Sequence, residues 1–195
     1  MDKSIKNIIS LMERIDPTYK GVLTERFLTV GELNQIASDC DKNPSEAQIE
    51  AGNYKKGHVC INGFNITIEN PKGSTRSGTD EKGNKWSVTM NNHYGYFKTT
   101  EGKDGDHIDV FIGNNLNSKK IFVVDQVNKT GEFDEHKVMM GFDDKDSAKS
   151  SYLKNYSPGW KGCGKITEVD IDNFKKWLYN GTKRIKAFSE YTENK

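Results

Sequence analysis

The sequence has 195 residues, of which 33% are hydrophobic and 10% aromatic, and this composition suits one globular domain of moderate size with a small appendage. Its 29 basic and 28 acidic side chains nearly cancel, so the total charge implies no long-range attraction to nucleic acid or to an anionic membrane. No run reaches the ~18 apolar residues of a membrane span, and the amino terminus lacks the apolar core of a signal peptide, so we expect a cytoplasmic protein. Cys40, Cys60 and Cys163 are widely spaced and form no CxxC motif, which predicts reduced, buried thiols.

The first 57 residues are predicted to be helical. Apolar residues within the first 15 positions recur at roughly helical spacing, and the segment TVGELNQIASD predicts a second short helix that starts near Thr29. In the segment NPSEAQ, Ser45 and Gln48 have the spacing of a capping box, in which each side chain satisfies a backbone amide of the other. A third short helix is therefore expected there, with Gly52 as its stop.

From residue 58 to about residue 140 the pattern changes to short apolar or alternating runs, such as HVCINGFNITIENP and KKIFVVDQV, cut by turn-forming residues. This pattern predicts a compact antiparallel sheet or small barrel. Helices are predicted at 147–156 and at 171–179, the second one capped by Asp170, and both are expected to pack on the sheet. The predicted fold class is therefore α+β, and the end of the chain, KRIKAFSEYTENK, is expected to fray.

Three aspartates crowd the segment DGDHIDVFIG. An Asp-Gly pair by itself is typical of a solvated turn and carries little functional information. Asp109 differs, because strand alternation places it on the face opposite Ile108 and Val110. Carboxylates as close as those of Asp104, Asp106 and Asp109 repel one another unless a cation lies among them, which predicts a hard divalent ion such as Mg²⁺. The spacing lacks the ligands of a calcium EF-hand loop.

Candidate phosphate-binding groups flank this acidic turn. The turn-rich segment ENPKGSTRSG supplies Glu69, Lys72 and Arg76, and its two cations are expected to hold an anionic substrate. Tyr94 lies just before the acidic turn, and its hydroxyl can donate to a phosphate oxygen. For each of these residues taken singly, surface solvation or simple burial is the ordinary alternative.

The segment VVDQVNKTGEFDEHKVMM predicts a hairpin that turns at Asn-Lys-Thr-Gly. On its second strand Glu135 and Lys137 share one face, so a carboxylate and a cation are expected to point at one site. Asp125 lies on the first strand, where a one-residue slip of register would turn it away. Asp125, Asp134 and Glu135 therefore all stay candidates for completing the metal site.

These segments resemble a known family, the soluble inorganic pyrophosphatases. That family has an Asn-Tyr-Gly-Tyr segment followed by an Asp-Gly-Asp-Pro-x-Asp-Val strand, and HYGYFKTTEGKDGDHIDVF is similar to it in order and spacing. Over roughly residues 44–190 the chain looks most like the inorganic pyrophosphatase domain predicted in polyvalent proteins of large phages and mobile elements, with phrases such as ITIENPKGSTRSGTD and FDEHKVMMGF. Residues 1–43 are then a separate helical segment, and residues 191–195 are a tail.

The resemblance implies a small closed OB-like barrel of about five strands with helices packed outside. It implies hydrolysis of pyrophosphate, or of a related phosphoanhydride, to phosphate by a water that Mg²⁺ activates. If the chain is encoded by a phage or mobile element, its location is the cytoplasm of the bacterial host.

Site residues are carried over from the family position by position. The catalytic residues implied are Asp104, Asp106, Asp109 and Tyr94. The metal ligands implied are the three aspartates together with Glu69 and Glu135. The substrate-binding residues implied are Arg76, Lys137 and Tyr94, and Lys72 is added to them from the turn-rich segment ENPKGSTRSG. His107 stands where the family has proline, and Lys154 and Tyr156 are the candidates for a later tyrosine-lysine pair.

Two other classes of function are also considered. A barrel of this type also serves as a platform for nucleotides, nucleic acid or proteins, and its expected signature is aromatic residues interleaved with basic ones, which the segment YGYFK provides only weakly. The chain could instead be a structural or interaction protein in which a metal ion merely stabilises the acidic turn. Hydrolysis of pyrophosphate separates both from the enzyme, and the sequence does not determine the oligomeric state.

Overall fold

The computed structural model describes residues 28–79, 83–180 and 184–192. Within these ranges the helices are α1 (Val30–Ser38), α2 (Glu46–Glu50), α3 (Lys145–Leu153), α4 (Ile171–Leu178) and α5 (Phe188–Thr192). The strands are β1 (Gly57–Ile61), β2 (Phe64–Asn70), β3 (Thr75–Thr79), β4 (Lys85–Thr89), β5 (His93–Phe97), β6 (Asp109–Ile112), β7 (Lys120–Val127), β8 (Phe133–Met140) and β9 (Cys163–Asp170). No helix in the described ranges has both the length and the apolar character needed to cross a membrane. The predicted α+β class is confirmed.

Capping side chains set where the helices begin. Thr29 caps α1, and Ser45 and Gln48 form the reciprocal capping box predicted for α2. Asp170 caps α4 as predicted. Helix α3 was predicted to start at residue 147 but begins at residue 145. The reason is that Asp144 caps it: its carboxylate accepts a hydrogen bond from the backbone amide of residue 147. The helix predicted within the first 15 residues lies outside the described residues.

Seven strands form one mixed sheet in the order β1-β2-β5-β6-β8-β7-β9, and β3 and β4 form a separate hairpin. The β6–β8 pair is parallel, whereas the other neighbouring pairs of the large sheet are antiparallel. The expectation of a closed five-stranded barrel, or of a purely antiparallel sheet, is therefore wrong. Alternating apolar residues indicate that a segment is a strand but do not specify its neighbours, and the pattern also missed the polar strands β3 and β9.

The large sheet has a separate hydrophobic core on each face. Along β6, Val110 and Ile112 belong to one core, and Phe111 belongs to the other. This is the alternation predicted for the strand, and β7 and β8 follow it as well. Helices α1 and α4 cover the first core and α3 covers the second, with Phe174 and Tyr152 among the buried contacts. The acid side chain at the start of β6 thus lies on the face of the second core.

The carboxyl-terminal helix α5 corrects the expectation of a frayed end. Phe188 is buried in the first core, and Asp125 of β7 accepts hydrogen bonds from the backbone amides of Phe188 at 2.6 Å and Ser189 at 3.2 Å. Because a buried carboxylate satisfies the first amides of the helix, the segment is held against the sheet. Composition alone did not indicate this, since the partner carboxylate lies about sixty residues earlier.

The three cysteines are free thiols. Cys40 is buried, as predicted, but the same prediction is wrong for Cys60, which is exposed. The alternation of β1 turns Val59 and Ile61 into the core, and Cys60, which lies between them, therefore points outward.

Candidate active site

A polar cleft of about 760 Å³ opens where β2, β3, β5, β6, β8 and the acidic turn present side chains to a common space. The predicted site residues that line it are Glu69, Arg76, Tyr94, Asp104, Asp106, Asp109, Glu135 and Lys137. Lys72 lies elsewhere: it is exposed on the turn after β2, outside the lining of the cleft, and its backbone N–H donates to the side chain of His93.

The acidic turn is held by its own hydrogen bonds. The Asp104 carboxylate accepts from the backbone amide of Asp106 at 3.1 Å, and the Gly102 amide donates to the Asp106 carbonyl oxygen at 2.7 Å. The hydroxyl of Thr100 accepts from the amide of Ile108 at 3.0 Å, which ties the turn to the start of β6. The backbone of the turn is thereby fixed, while the carboxylates of Asp104 and Asp106 stay exposed at the cleft.

A buried lysine lies between two carboxylates at the centre of the cleft. The side chain of Lys137 is 4% exposed, and its ammonium group contacts Asp109 Oδ2 and lies 2.7 Å from Glu135 Oε2. The same ammonium group donates to the hydroxyl of Tyr94 at 3.3 Å, and that hydroxyl donates to Asp109 Oδ2 at 2.5 Å. Four side chains from β5, β6 and β8 therefore form one hydrogen-bonded network.

The environment sets the protonation of this network. Burial by itself would lower the pKa of Lys137, but the neighbouring groups, Asp109 foremost, together outweigh burial, and the pKa is raised. Burial raises the pKa of Tyr94, against the opposing effect of Lys137. Burial also raises the pKa of Glu135, and the Lys137 ammonium opposes that shift. At neutral pH the lysine is therefore charged and the tyrosine is a neutral hydrogen-bond donor.

Gln126 of β7 holds the Glu135 carboxylate in position through a hydrogen bond. Its amide nitrogen donates to Glu135 Oε1 at 2.5 Å, and its amide oxygen accepts from the hydroxyls of Tyr152 at 2.8 Å and Tyr156 at 2.9 Å. Both ends of the amide are satisfied, so the position of the carboxylate is fixed by packed aromatic residues. Sequence reasoning missed Gln126, although a polar residue near the end of the apolar run KKIFVVDQV was a signal for it.

Arg76 approaches the cleft from the β3–β4 hairpin. Its guanidinium carbon lies 4.8 Å from the ring centroid of Tyr94 and 5.4 Å from that of Trp86. Cation–π contacts of this kind position a guanidinium group without using its hydrogen-bond donors. Sequence reasoning also missed Trp86, whose signal was a large aromatic residue in the otherwise polar strand KWSVT.

Glu69, at the edge of the cleft, is already engaged by a cation. Lys56 lies 2.7 Å from Glu69 Oε1, and the hydroxyl of Tyr54 donates to the same oxygen at 3.2 Å. The Lys56 ammonium group also lies over the rings of Tyr54 and Tyr96, at 4.6 and 5.4 Å. Glu69 therefore holds Lys56 and Tyr54 at the edge of the cleft, and these are two further residues that sequence reasoning did not identify.

The comparison with protein families decides the family. The family model described as Inorganic Pyrophosphatase matches residues 46–179, which is more than half of the chain. The chain belongs to the inorganic pyrophosphatase family. The resemblance inferred from the motifs is thereby confirmed. A comparison with curated proteins gave no match.

Membership in the inorganic pyrophosphatase family indicates a pyrophosphatase-like activity in general terms. The matched range contains every predicted site residue, and it excludes α1. Even so, α1 contributes to the structure of the site region, because Asn34 Oδ1 lies 2.8 Å from Nε2 of His93, the residue before Tyr94. The link to phage and mobile-element proteins stays a prediction.

Three acidic residues were candidates for completing the predicted metal site, and only one of them lines the cleft. Glu135 faces the cleft, whereas Asp134 is exposed outside it and lies 3.5 Å from the amide nitrogen of Gln126. Asp125 is 3% exposed and is occupied by the amides of α5. Geometry therefore favours Glu135.

The oxygen donors of the cleft fit a hard divalent ion in their chemistry. Mg²⁺ is usually bound by one or two carboxylates, with waters and substrate phosphates completing the shell. Asp104 and Asp106 offer two exposed carboxylates, while Asp109 and Glu135 share the single positive charge of Lys137. No three His, Cys, Asp or Glu side chains form a ready-made metal cluster within the described ranges. Asp104 and Asp106 are therefore the residues that would hold such an ion.

Proposed function

We propose that the protein is an inorganic pyrophosphatase that hydrolyses pyrophosphate, or a closely related phosphoanhydride, to phosphate with the help of Mg²⁺. One observation carries the proposal: in a chain of this family, exposed carboxylates, a buried charged lysine and an arginine line the same cleft. Hydrolysis of a phosphoanhydride needs little covalent chemistry from the protein, so positioning and charge neutralisation supply most of the catalysis.

Arg76, Lys137 and Tyr94 bind the pyrophosphate. The two cations offset the negative charge of the substrate, and the neutral hydroxyl of Tyr94 turns its single proton from Asp109 to a phosphate oxygen when the substrate binds. Their positions support this role, because Arg76 lies over the ring of Tyr94, and Lys137 contacts the Tyr94 hydroxyl. The three side chains thus contact one another and line the same cleft, where they would bind one substrate.

Asp104 and Asp106, whose carboxylates are exposed at the cleft, would hold Mg²⁺, and Asp109 and Glu135, which share the charge of Lys137, would add net negative charge to the same cleft. A divalent ion bound there neutralises phosphate oxygens and lowers the pKa of a bound water. Asp106 accepts a proton from the attacking water. Exposure of the Asp104 and Asp106 carboxylates supports the assignment, because neither carboxylate needs to leave a buried partner to do this.

The test is release of phosphate from pyrophosphate by the purified protein, with and without Mg²⁺, next to Asp104→Asn. We expect turnover that depends on the metal and falls by about a hundredfold or more in the variant, with an unchanged melting temperature because Asp104 is exposed. Asp172→Asn, which removes an exposed carboxylate on α4 away from the cleft, is the matched control and should keep full activity.

Two results would contradict the proposal. One is full activity of Asp104→Asn. The other is a folded protein that Mg²⁺ stabilises against heat but that releases no phosphate, which would favour a binding or structural module.

A further inference from the structure

A second cavity of about 410 Å³ adjoins the polar cleft. The two share Arg76, Trp86, Glu135 and Lys137 in their linings, so the space for the substrate phosphates continues directly into this cavity. Its volume lies within the range of roughly 300–1,000 Å³ that is typical of small-molecule pockets. Pyrophosphate bound in the polar cleft would leave the second cavity unfilled.

Three aromatic rings line this aromatic cavity: Trp86, Tyr156 and Trp160. The rings of Tyr156 and Trp160 are stacked, with centroids 3.9 Å apart and an angle of 7° between their planes. Outside the wall shared with the polar cleft, the remaining lining consists of Val88 and four polar residues: Gln126, Lys129, Asn155 and Ser157. The amide of Gln126 is used at both ends within the protein.

Each indole ring of the aromatic cavity packs closely against a glycine. A Cβ atom at Gly78 would lie 2.5 Å from the ring of Trp86, and one at Gly162 would lie 2.2 Å from the ring of Trp160. Only a residue without a side chain allows these rings to lie so close to the backbone. The sequence thus holds two flat, partly exposed aromatic surfaces in place beside a phosphate site. Trp160 also packs against the second core, whereas Trp86 belongs to neither core.

We propose that the aromatic cavity binds the nucleoside of a nucleoside 5′-diphosphate whose phosphoanhydride occupies the polar cleft. The inference rests on the proposed function, since it uses the same phosphate site. A nucleoside diphosphate has the anhydride of pyrophosphate with one end esterified, and the esterified end points toward the shared wall formed by Arg76 and Trp86. The flat surfaces stack a base, and because every base has a flat face, stacking predicts little discrimination between bases.

The reaction is hydrolysis of the terminal phosphate. The oxygen of water bonds to the terminal phosphorus, and the bond from that phosphorus to the bridging oxygen breaks. The bridging oxygen leaves with the nucleoside monophosphate, orthophosphate is the second product, and the proton released passes to Asp106 and then to solvent.

The test compares pyrophosphate, ADP and UDP as substrates, each with Mg²⁺, for the wild type and for Trp160→Leu. We expect all three to be hydrolysed, with similar KM values for ADP and UDP. Trp160→Leu should raise KM for both nucleotides about tenfold, because stacking on one aromatic ring is lost, and should leave kcat/KM for pyrophosphate within about twofold of wild type. Tyr179→Leu removes an aromatic side chain that is exposed outside both cavities, and this control should change none of these values.

A second variant tests whether the effect of Trp160→Leu comes from loss of nucleoside binding or from altered packing around residue 160. Ser157 is exposed and lines the aromatic cavity, so Ser157→Trp fills the space without removing a packed ring. It should weaken the use of both nucleotides and spare pyrophosphate.

The outcomes separate the two proposals. Turnover of pyrophosphate with no turnover of ADP or UDP overturns the nucleoside site and leaves the proposed function standing. Equal loss of pyrophosphate and nucleotide turnover in both variants also overturns it. If no substrate is hydrolysed, the proposed function fails, and calorimetry with ADP and Mg²⁺ decides the nucleoside site: binding that Trp160→Leu weakens supports it, and absence of binding refutes it.

Discussion

Lys137 on β8 lies directly opposite Asp109 on β6 in the parallel pair of these two strands, and its ammonium group donates to the Asp109 carboxylate. Glu135, two residues earlier on the same face of β8, lies 2.7 Å from the same ammonium group. One buried cation therefore pairs with two carboxylates at the floor of the cleft, and removal of that cation tests the whole arrangement.

Lys137→Met should damage both stability and activity. It leaves Asp109 and Glu135 without their cation in a largely buried setting, which costs about 3–5 kcal/mol of unfolding free energy. Loss of a substrate-binding charge should lower turnover of pyrophosphate by at least about a hundredfold. Urea unfolding and phosphate release measure the two effects.

Lys120→Met is the matched control for that experiment. Lys120 pairs with Glu168 at 3.2 Å on the surface, where the two side chains are 49% and 47% exposed, so its loss should cost under about 1 kcal/mol. If the two lysine variants lose the same unfolding free energy, the buried network of Lys137, Asp109 and Glu135 does not stabilise the fold more than a surface ion pair does.

Glu135→Gln and Asp134→Asn distinguish two neighbouring acids on β8. Only Glu135 faces the cleft, so we expect its variant to lose about 10- to 100-fold in activity or in apparent affinity for Mg²⁺, whereas Asp134→Asn should stay within about twofold of wild type. Titration of turnover with Mg²⁺ makes the comparison. A larger loss in Asp134→Asn would show that the wrong carboxylate has been assigned.

Asp125→Ala should affect stability and spare the chemistry. The buried Asp125 carboxylate accepts hydrogen bonds from the amides of Phe188 and Ser189, and two unsatisfied buried donors cost about 1–3 kcal/mol each. We expect a lower melting temperature, with a normal kcat at temperatures where the variant is folded, and a smaller loss in Asp125→Asn, which keeps one acceptor. A large drop in kcat of folded Asp125→Ala would instead place this carboxylate in the site.

His93 should make stability depend on pH. Its Nδ1 accepts from the backbone amide of Lys72 at 3.0 Å, so protonation of that nitrogen breaks the bond, and burial lowers the pKa of the imidazole below its ordinary value of 6.5. The unfolded chain therefore binds more protons than the folded protein once the pH falls below about 6.5. The unfolding free energy should decrease as the pH is lowered through that value, until the folded-state pKa is reached.

His93→Asn tests this pH dependence. Asparagine keeps an acceptor for the Lys72 amide but does not titrate, so the unfolding free energy of the variant should fall less steeply between pH 7 and pH 5. The other histidines contribute to both proteins alike. Equal slopes in urea unfolding experiments across that range would mean that His93 titrates as it does in the unfolded chain.

Local patterns predicted the local features of this protein. The capping pairs at Thr29 and Ser45 mark helix starts because their partners lie three residues away, inside the same turn. The position of Asp109 on the face opposite Val110 follows from strand alternation, which depends only on neighbouring residues. Crowding of Asp104 and Asp106 at one turn is likewise a property of adjacent residues.

Strand neighbours and long-range partners were not predictable in this way. The sequence does not reveal that Asp125 is used by α5, or that Gln126 holds Glu135, because each of these contacts depends on which strands and helices lie side by side. The expected barrel was wrong for the same reason. The strands have similar apolar patterns, so the sequence does not reveal that β6 pairs with β8 in parallel or that β9 adds to the sheet.

The sequence by itself determined the family motifs, the helix starts and the acidic turn, because hydrogen bonding and side-chain alternation act over a few residues. Only the tertiary structure decided that Lys137 meets Asp109, 28 residues away along the chain, and that Arg76 lies over Tyr94. Those contacts depend on the pairing of β6 with β8 and on the docking of the β3–β4 hairpin. Both arrangements are stabilised by packing throughout the protein interior, so they cannot be predicted from any short segment of the sequence.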